Sequence, residues 1–212
     1  MGDRRRARRR VRRRRLLALL AAGSVLGVGT VSTIAAWTDS ETATGAFAAS
    51  VFDTQSQSAG TPTYASHPTG GPSAALTFTA AGLSPGVATQ AWLNIRTSPA
   101  STVGGTVALT GASSTGVLSS ALEYRAVRLP AAVPTATCNA AAFSGSPVFI
   151  AGGASSYIPV TSTPSPAVAN AIDAAGAQLG FCIEVRVRTG AENSFQGTSA
   201  TVTWTFTGTS AS

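Results

Sequence analysis

Phe181-Cys182-Ile183-Glu184-Val185-Arg186-Val187-Arg188 is the stretch from which the fold can be read. Side chains along a β-strand point alternately to its two faces. Here Phe181, Ile183, Val185 and Val187 share one face, and Cys182, Glu184, Arg186 and Arg188 share the other. A run with that period predicts a strand with one apolar, core-facing side, as in antiparallel sheets. The end of the chain repeats the pattern. Ala200, Val202, Trp204 and Phe206 point one way, and Ser199, Thr201, Thr203, Thr205 and Thr207 the other.

Upstream, the same reading gives more strands. Leu122 to Leu129 is one, stopped by Pro130, and Gly105 to Thr110 is another. Gln90 to Arg96 is a third, with Leu93 and Ile95 on one face. Leu76-Thr77-Phe78-Thr79-Ala80 also alternates, and Gly45 to Phe52 predicts the first strand. Between them, Ser84-Pro85-Gly86 suits a type II turn, because proline fixes the first φ and glycine accepts the positive one. Residues 130–156 read as irregular, with a short apolar piece at Val148-Phe149-Ile150, and 159–168 as turn or loop. Beyond residue 35, Val168 to Gln178 is the one predicted helix, on the strength of its alanines. Many short strands with turn signals between them predict an all-β chain, a single antiparallel β-sandwich over 74–212. Pattern alone leaves jelly-roll and immunoglobulin-like forms open. A Ser/Gly/Pro-rich loop over 54–73 and an N-terminal segment over 36–53 precede the sandwich.

The start of the chain reads as an export leader. Ten arginines between Arg4 and Arg15 run directly into Leu16-Leu17-Ala18-Leu19-Leu20, and small residues follow. Charge, apolar helix and small residues, in that order, are the layout of a signal peptide. Thr33 and Ala35 supply the small side chains a signal peptidase needs, which predicts cleavage between Ala35 and Ala36 and a signal helix within 1–35. Kept uncut, the apolar part is about the ~20 residues that span a bilayer, so membrane attachment comes only through an uncleaved leader. All fifteen basic residues are arginine. Beyond Ala35, five arginines face seven acids, a net charge of −2. That leaves nucleic-acid binding without an electrostatic basis. The expected location is therefore secreted, extracellular or at the cell surface.

Cys138 and Cys182 are the two cysteines. In an exported chain such a pair predicts a disulfide, with two free thiols as the other reading. Closing that loop stabilises by about 4 kcal/mol in the chain-entropy model. Cys182 lies on the face of its strand opposite the apolar one, so the bridge is expected outside the core, stapling a long loop.

Catalytic signatures are missing. His67, the single histidine, falls in the 54–73 loop and is expected to be solvated. One histidine cannot supply a His-Glu-x-x-His zinc site, and no Gly-x-Ser-x-Gly elbow is present. The acids are scattered, and no loop has calcium spacing. No catalytic residue, metal site or cofactor is expected, and the chain is read as a non-enzyme.

Four features carry a resemblance. They are the leader running into Thr33-Ile34-Ala35-Ala36-Trp37-Thr38-Asp39, then Gly45-Ala46-Phe47, then the Leu83-Ser84-Pro85-Gly86 turn, and last Asn193-Ser194-Phe195-Gln196-Gly197-Thr198-Ser199 before the final strand. In these the chain resembles the TasA/camelysin family, whose leaders are cut by the dedicated peptidase SipW. Residues 100–180 take no part in the match. The resemblance implies a jelly-roll-like sandwich, export with a SipW-like peptidase as partner, and a structural protein that assembles into filaments of the biofilm matrix or cell surface. Asn193, Phe195, Gln196, Gly197 and Ser199 are its motif residues. Some members are described as metallopeptidases, an activity for which this chain lacks the ligands. Self-association is expected by strand addition, with Ala36 to Phe52 as donor strand. The runner-up function reading is a camelysin-like exported metallopeptidase, and a third is an adhesin or binding module using exposed aromatics such as Trp37 or Trp92.

Overall fold

The computed structural model describes residues 44–46, 48–78 and 82–212. Residues 1–35, the cleavage positions Thr33, Ala35 and Ala36, and the start of the donor segment, Trp37 included, lie outside the described residues. A compact unit runs from Ala48 to Ser212.

That unit is an antiparallel β-sandwich. Its strands are β1 (Thr54–Ser58), β2 (Ala88–Thr97), β3 (Gly105–Thr115), β4 (Leu122–Arg128), β5 (Val148–Ala151), β6 (Ile158–Pro159), β7 (Asn170–Ile172), β8 (Gln178–Val187) and β9 (Thr201–Ser210). The larger sheet runs β1-β2-β8-β4-β5, with β6 also on β4, and the smaller runs β7-β3-β9. The chain changes sheet between β2 and β3, between β3 and β4, between β6 and β7, and again on both sides of β8. So β2 pairs with β8 in one layer while β3 pairs with β9 in the other. These crossed pairings knit distant parts of the sequence into both layers.

The alternation in β8 and β9 is what closes the core. Phe181, Ile183, Val185 and Val187 are all buried, and Val202, Trp204 and Phe206 pack against the same cluster. Two ring pairs bridge the layers: Phe181 to Phe206 at 5.0 Å between centroids, and Tyr124 edge-on to Trp204 at 5.7 Å. Leu93 and Ile95 join the core from β2, as their shared face requires. The Pro85-Gly86 turn forms as read. The Val87 N–H donates to the Ser84 carbonyl at 3.0 Å, and Gly86 takes a φ of 80°.

Four expectations are corrected. Val168 to Gln178 is not a helix: it holds β7 and then a turn in which Ala175 and Gly176 take φ values of 56° and 88°. The side chain of Asn170 donates to the carbonyls of Val107 and Val168, so local amide bonding and β3 outweigh alanine's helix preference. The loop expected over 54–73 begins with a strand, since β1 pairs with β2 from Thr54↔Thr97 to Ser58↔Leu93. The sandwich thus starts earlier than residue 74. No strand covers the described residues of 45–52. None covers Leu76 to Phe78 either; Leu76 and Phe78 instead lie as an irregular cover on the core.

Both ends of the unit meet one loop. Thr102 donates its backbone N–H to the Val51 carbonyl, and Ala211 donates to that of Gly104, each at 2.9 Å.

Candidate functional site

Cys138 and Cys182 form the expected disulfide, with Cα atoms 5.2 Å apart. Its surroundings differ from the expectation. Cys182 does face away from the main core, but it is fully buried. Val127, Leu129 and Phe143 enclose it, so residues 129–149 lay a second, smaller core over the outer face of the larger sheet. Asn94 anchors that layer at two points. Its amide donates to the Val133 carbonyl at 2.7 Å and accepts from the Val133 N–H at 3.0 Å. Replacing both cysteines by alanine is expected to cost about 2–4 kcal/mol, the usual worth of such a bridge. Guanidinium titration of the oxidised and double-alanine chains checks this.

Beside this second core is a charged cluster. Glu184 on β8 is 1 % exposed, and its strand neighbours in register are Gln90 and Arg125. Both reach it: Gln90 Nε2 donates to Oε2 at 2.7 Å and Arg125 Nε to Oε1 at 2.8 Å. The Tyr157 hydroxyl donates to the same carboxylate. Arg186 pairs with Glu123 at 2.6 Å and lies 3.7 Å over the Tyr157 ring. Each carboxylate therefore faces an arginine across the strands, which stabilises register rather than creating two carboxylates poised for acid–base work.

Burial pushes the Tyr124 phenol up to about 12. Tyr157 is also raised to about 12, first by burial and then by the Glu184 carboxylate that accepts its proton. Both tyrosines thus hold their protons more tightly folded than unfolded, where the value is near 10. Stability from this source is complete below pH ~10 and is lost as pH rises toward ~12. Circular dichroism at stepped pH should show that loss, and Tyr157→Phe should make it shallower.

The motif Asn193 to Ser199 forms the approach to β9. Asn193–Phe195 is one turn of 3₁₀ helix, Phe195 packs against the core, and Gly197 takes a φ of 70°. Gln196 donates its backbone N–H to Asn193 at 3.1 Å, and the Ser199 carbonyl accepts from Leu118 at 3.3 Å. The motif therefore positions β9 and brings no reactive groups together. β9 has β3 on one side, and its other edge has no strand partner among the described residues.

Next to that edge the sandwich is open. A cavity of about 810 Å³ lies between the sheets, with Leu93, Ile183 and Val185 on one wall and Val202, Trp204 and Phe206 on the other. His67 is at its rim, half-buried rather than solvated, with Nδ1 2.8 Å from Ser56 Oγ. No carboxylate is bonded to His67 among the described residues, so a Ser-His-acid relay is not assembled there. Among the described residues, no three His, Cys, Asp or Glu side chains gather into a metal-binding group. Trp92 is half-buried on the outer face of β2 opposite Cys182, which does not make it an exposed platform. No helix among the described residues is long and apolar enough to cross a membrane. The buried Glu184 cluster escaped the sequence reading, because Arg125 and Tyr157 reach it from separate parts of the chain. The charged letters alternating in 182–188 were its one visible trace. No family model matches the chain, and no curated protein does.

Proposed function

We propose that this chain is a secreted, non-enzymatic structural protein of the cell surface or extracellular matrix, which self-associates into filaments by strand addition. The observation that carries this reading is the open edge of β9. It is ten residues long, TVTWTFTGTS, without a charge or a proline. Soluble proteins usually guard such an edge with lysine, proline or a bulge, because its unpaired N–H and C=O groups accept another strand. The disulfide supports an oxidising, extracellular setting. Resemblance to the TasA/camelysin proteins at the motifs quoted above adds the expectation of filaments and of processing by a SipW-like peptidase.

The segment before Phe52 is the candidate donor. Its described part is not committed to any strand, and Val51 is 44 % exposed. Phe52 behaves differently: its ring fits over the backbone of β3 and β9, where a Cβ at Gly105 or Gly208 would lie 2.9 Å or 3.0 Å from ring carbons. Removing Ala36 to Val51 therefore spares the core, and it is expected to abolish filaments in negative-stain images. So is Thr203→Lys with Thr207→Lys, which guards the β9 edge at a cost of about 1 kcal/mol, mainly the lost bond between the Thr207 and Thr110 hydroxyls. Unchanged filaments in both variants would show the reading to be wrong. N-terminal sequencing of the exported chain tests cleavage before Ala36.

A further inference from the structure

The inter-sheet cavity contains two buried donors for which no described residue provides an acceptor. Thr89 Oγ1 and Trp204 Nε1 have no hydrogen-bond partner among the described residues, and both residues line the cavity. Thr89 is 6 % exposed, so its hydroxyl cannot rely on bulk solvent. The two residues lie at one level of the sandwich. Thr89 is in register with Val185, Val185 with Tyr124, and Tyr124 packs edge-on to Trp204. An indole N–H can only donate, and a threonine hydroxyl is free to do so. A buried polar group left unmatched is unusual enough to need an explanation.

Two further properties define what would match them. The inner walls are apolar and aromatic, with Phe78 and Trp204 in tilted contact at 6.3 Å, whereas the exposed Thr69, Ser73, Thr201 and Thr203 make the outer lining polar. Among the described residues, no arginine, aspartate or glutamate lines the cavity, and the one titratable side chain there, His67, is already bonded to Ser56. Ser56 is in register with Ile95, six residues along β2 from Thr89, so the cavity runs about 20 Å between its two polar ends. Its volume falls within the ~300–1,000 Å³ range of small-molecule sites.

We propose that this cavity binds an uncharged, apolar small molecule carrying a carbonyl-type acceptor, whose oxygen is seated on Thr89 Oγ1 and Trp204 Nε1. The two lone pairs of one carbonyl oxygen accept both donors, and the apolar remainder lies between the sheets toward Ser56 and His67. An anionic ligand is disfavoured because no cation faces the site.

The test uses the full chain, with 2-decanone as probe and decane as the analogue without an acceptor. Because both are neutral, the arginine-rich leader contributes no electrostatic binding. Saturable binding of 2-decanone, with a raised thermal midpoint, is expected, and decane should bind more weakly. Thr89→Val and Trp204→Phe should each weaken the ketone about tenfold, the worth of one lost hydrogen bond, and leave decane unchanged. If Trp204→Phe fails to fold, Thr89→Val carries the test alone. The proposal is overturned by any of three results: no saturable binding, equal binding of decane and ketone, or variants that bind the ketone like the parent. A cavity filled instead by a strand of a second copy would give a midpoint that rises with protein concentration and ignores the ketone, which also overturns it.

Discussion

Arg125→Met should destabilise the folded chain by about 3–5 kcal/mol, the cost of leaving a buried charge without its partner. Glu184 is the charge in question, and Arg125 is its only cationic contact among the described residues. The arginine does more than pair. Its Nη1 donates to the Ala154 carbonyl at 2.6 Å, and its guanidinium stacks on Phe143 at 4.7 Å and Tyr157 at 4.8 Å. Methionine keeps the stem and its packing but loses every one of the polar contacts. Glu184→Gln should cost less, because an amide oxygen in the Oε1 position still accepts from Arg125 and Tyr157, and Gln90 can turn its own amide so that its oxygen accepts from the new NH2. In the Glu184→Gln background, Arg125→Met should lose much of its effect. Denaturant midpoints of the four chains make a double-mutant cycle. A cost below about 1 kcal/mol for Arg125→Met would mean that the carboxylate is solvated after all.

Phe181→Ala should be as damaging, at about 3–5 kcal/mol. Phe181 is fully buried at the middle of the larger sheet, and its ring is the contact that β8 makes with Phe206 on the opposite layer. Removing it deletes apolar burial and opens a void that the flanking strands cannot close without losing register. Since a domain is stable by only ~5–15 kcal/mol, either substitution takes a large share of the total. The expected readout is a lower denaturant midpoint with an unchanged slope, because both states keep their overall exposure.

Comparing these residues with the sequence explains what could be read in advance. Phe181 was visible because it belongs to an unbroken period of two, and the same holds for Trp204 and Phe206. β1 was hidden: Thr54-Gln55-Ser56-Gln57-Ser58 has no large apolar residue, and it holds to β2 through backbone pairing and the Gln55–Arg96 and Gln57–Asn94 contacts. Leu76 and Phe78 alternate like a strand, yet they pack without a partner strand, so period two reported burial and not pairing. In 168–178 local propensity pointed to a helix, and the neighbouring sheet overrode it. As for function, the disulfide was legible from the cysteine count alone. The open edge of β9 and the orphan donors were not, because both depend on which strands fail to become neighbours.

Val51 and Ala211 are held by one short stretch, Thr102 to Gly104. The unit therefore enters and leaves at the same corner. Joining residue 211 to residue 51 through a few glycines and reopening the chain at an exposed loop should yield a circular permutant with the same core. Cargo fused behind Ser212 would likewise emerge beside the segment that precedes Val51, and if that segment engages a neighbouring copy, the cargo would crowd the joint. For display on an assembled polymer, an insertion at Gly145, on a loop in the 129–149 layer, is the better choice.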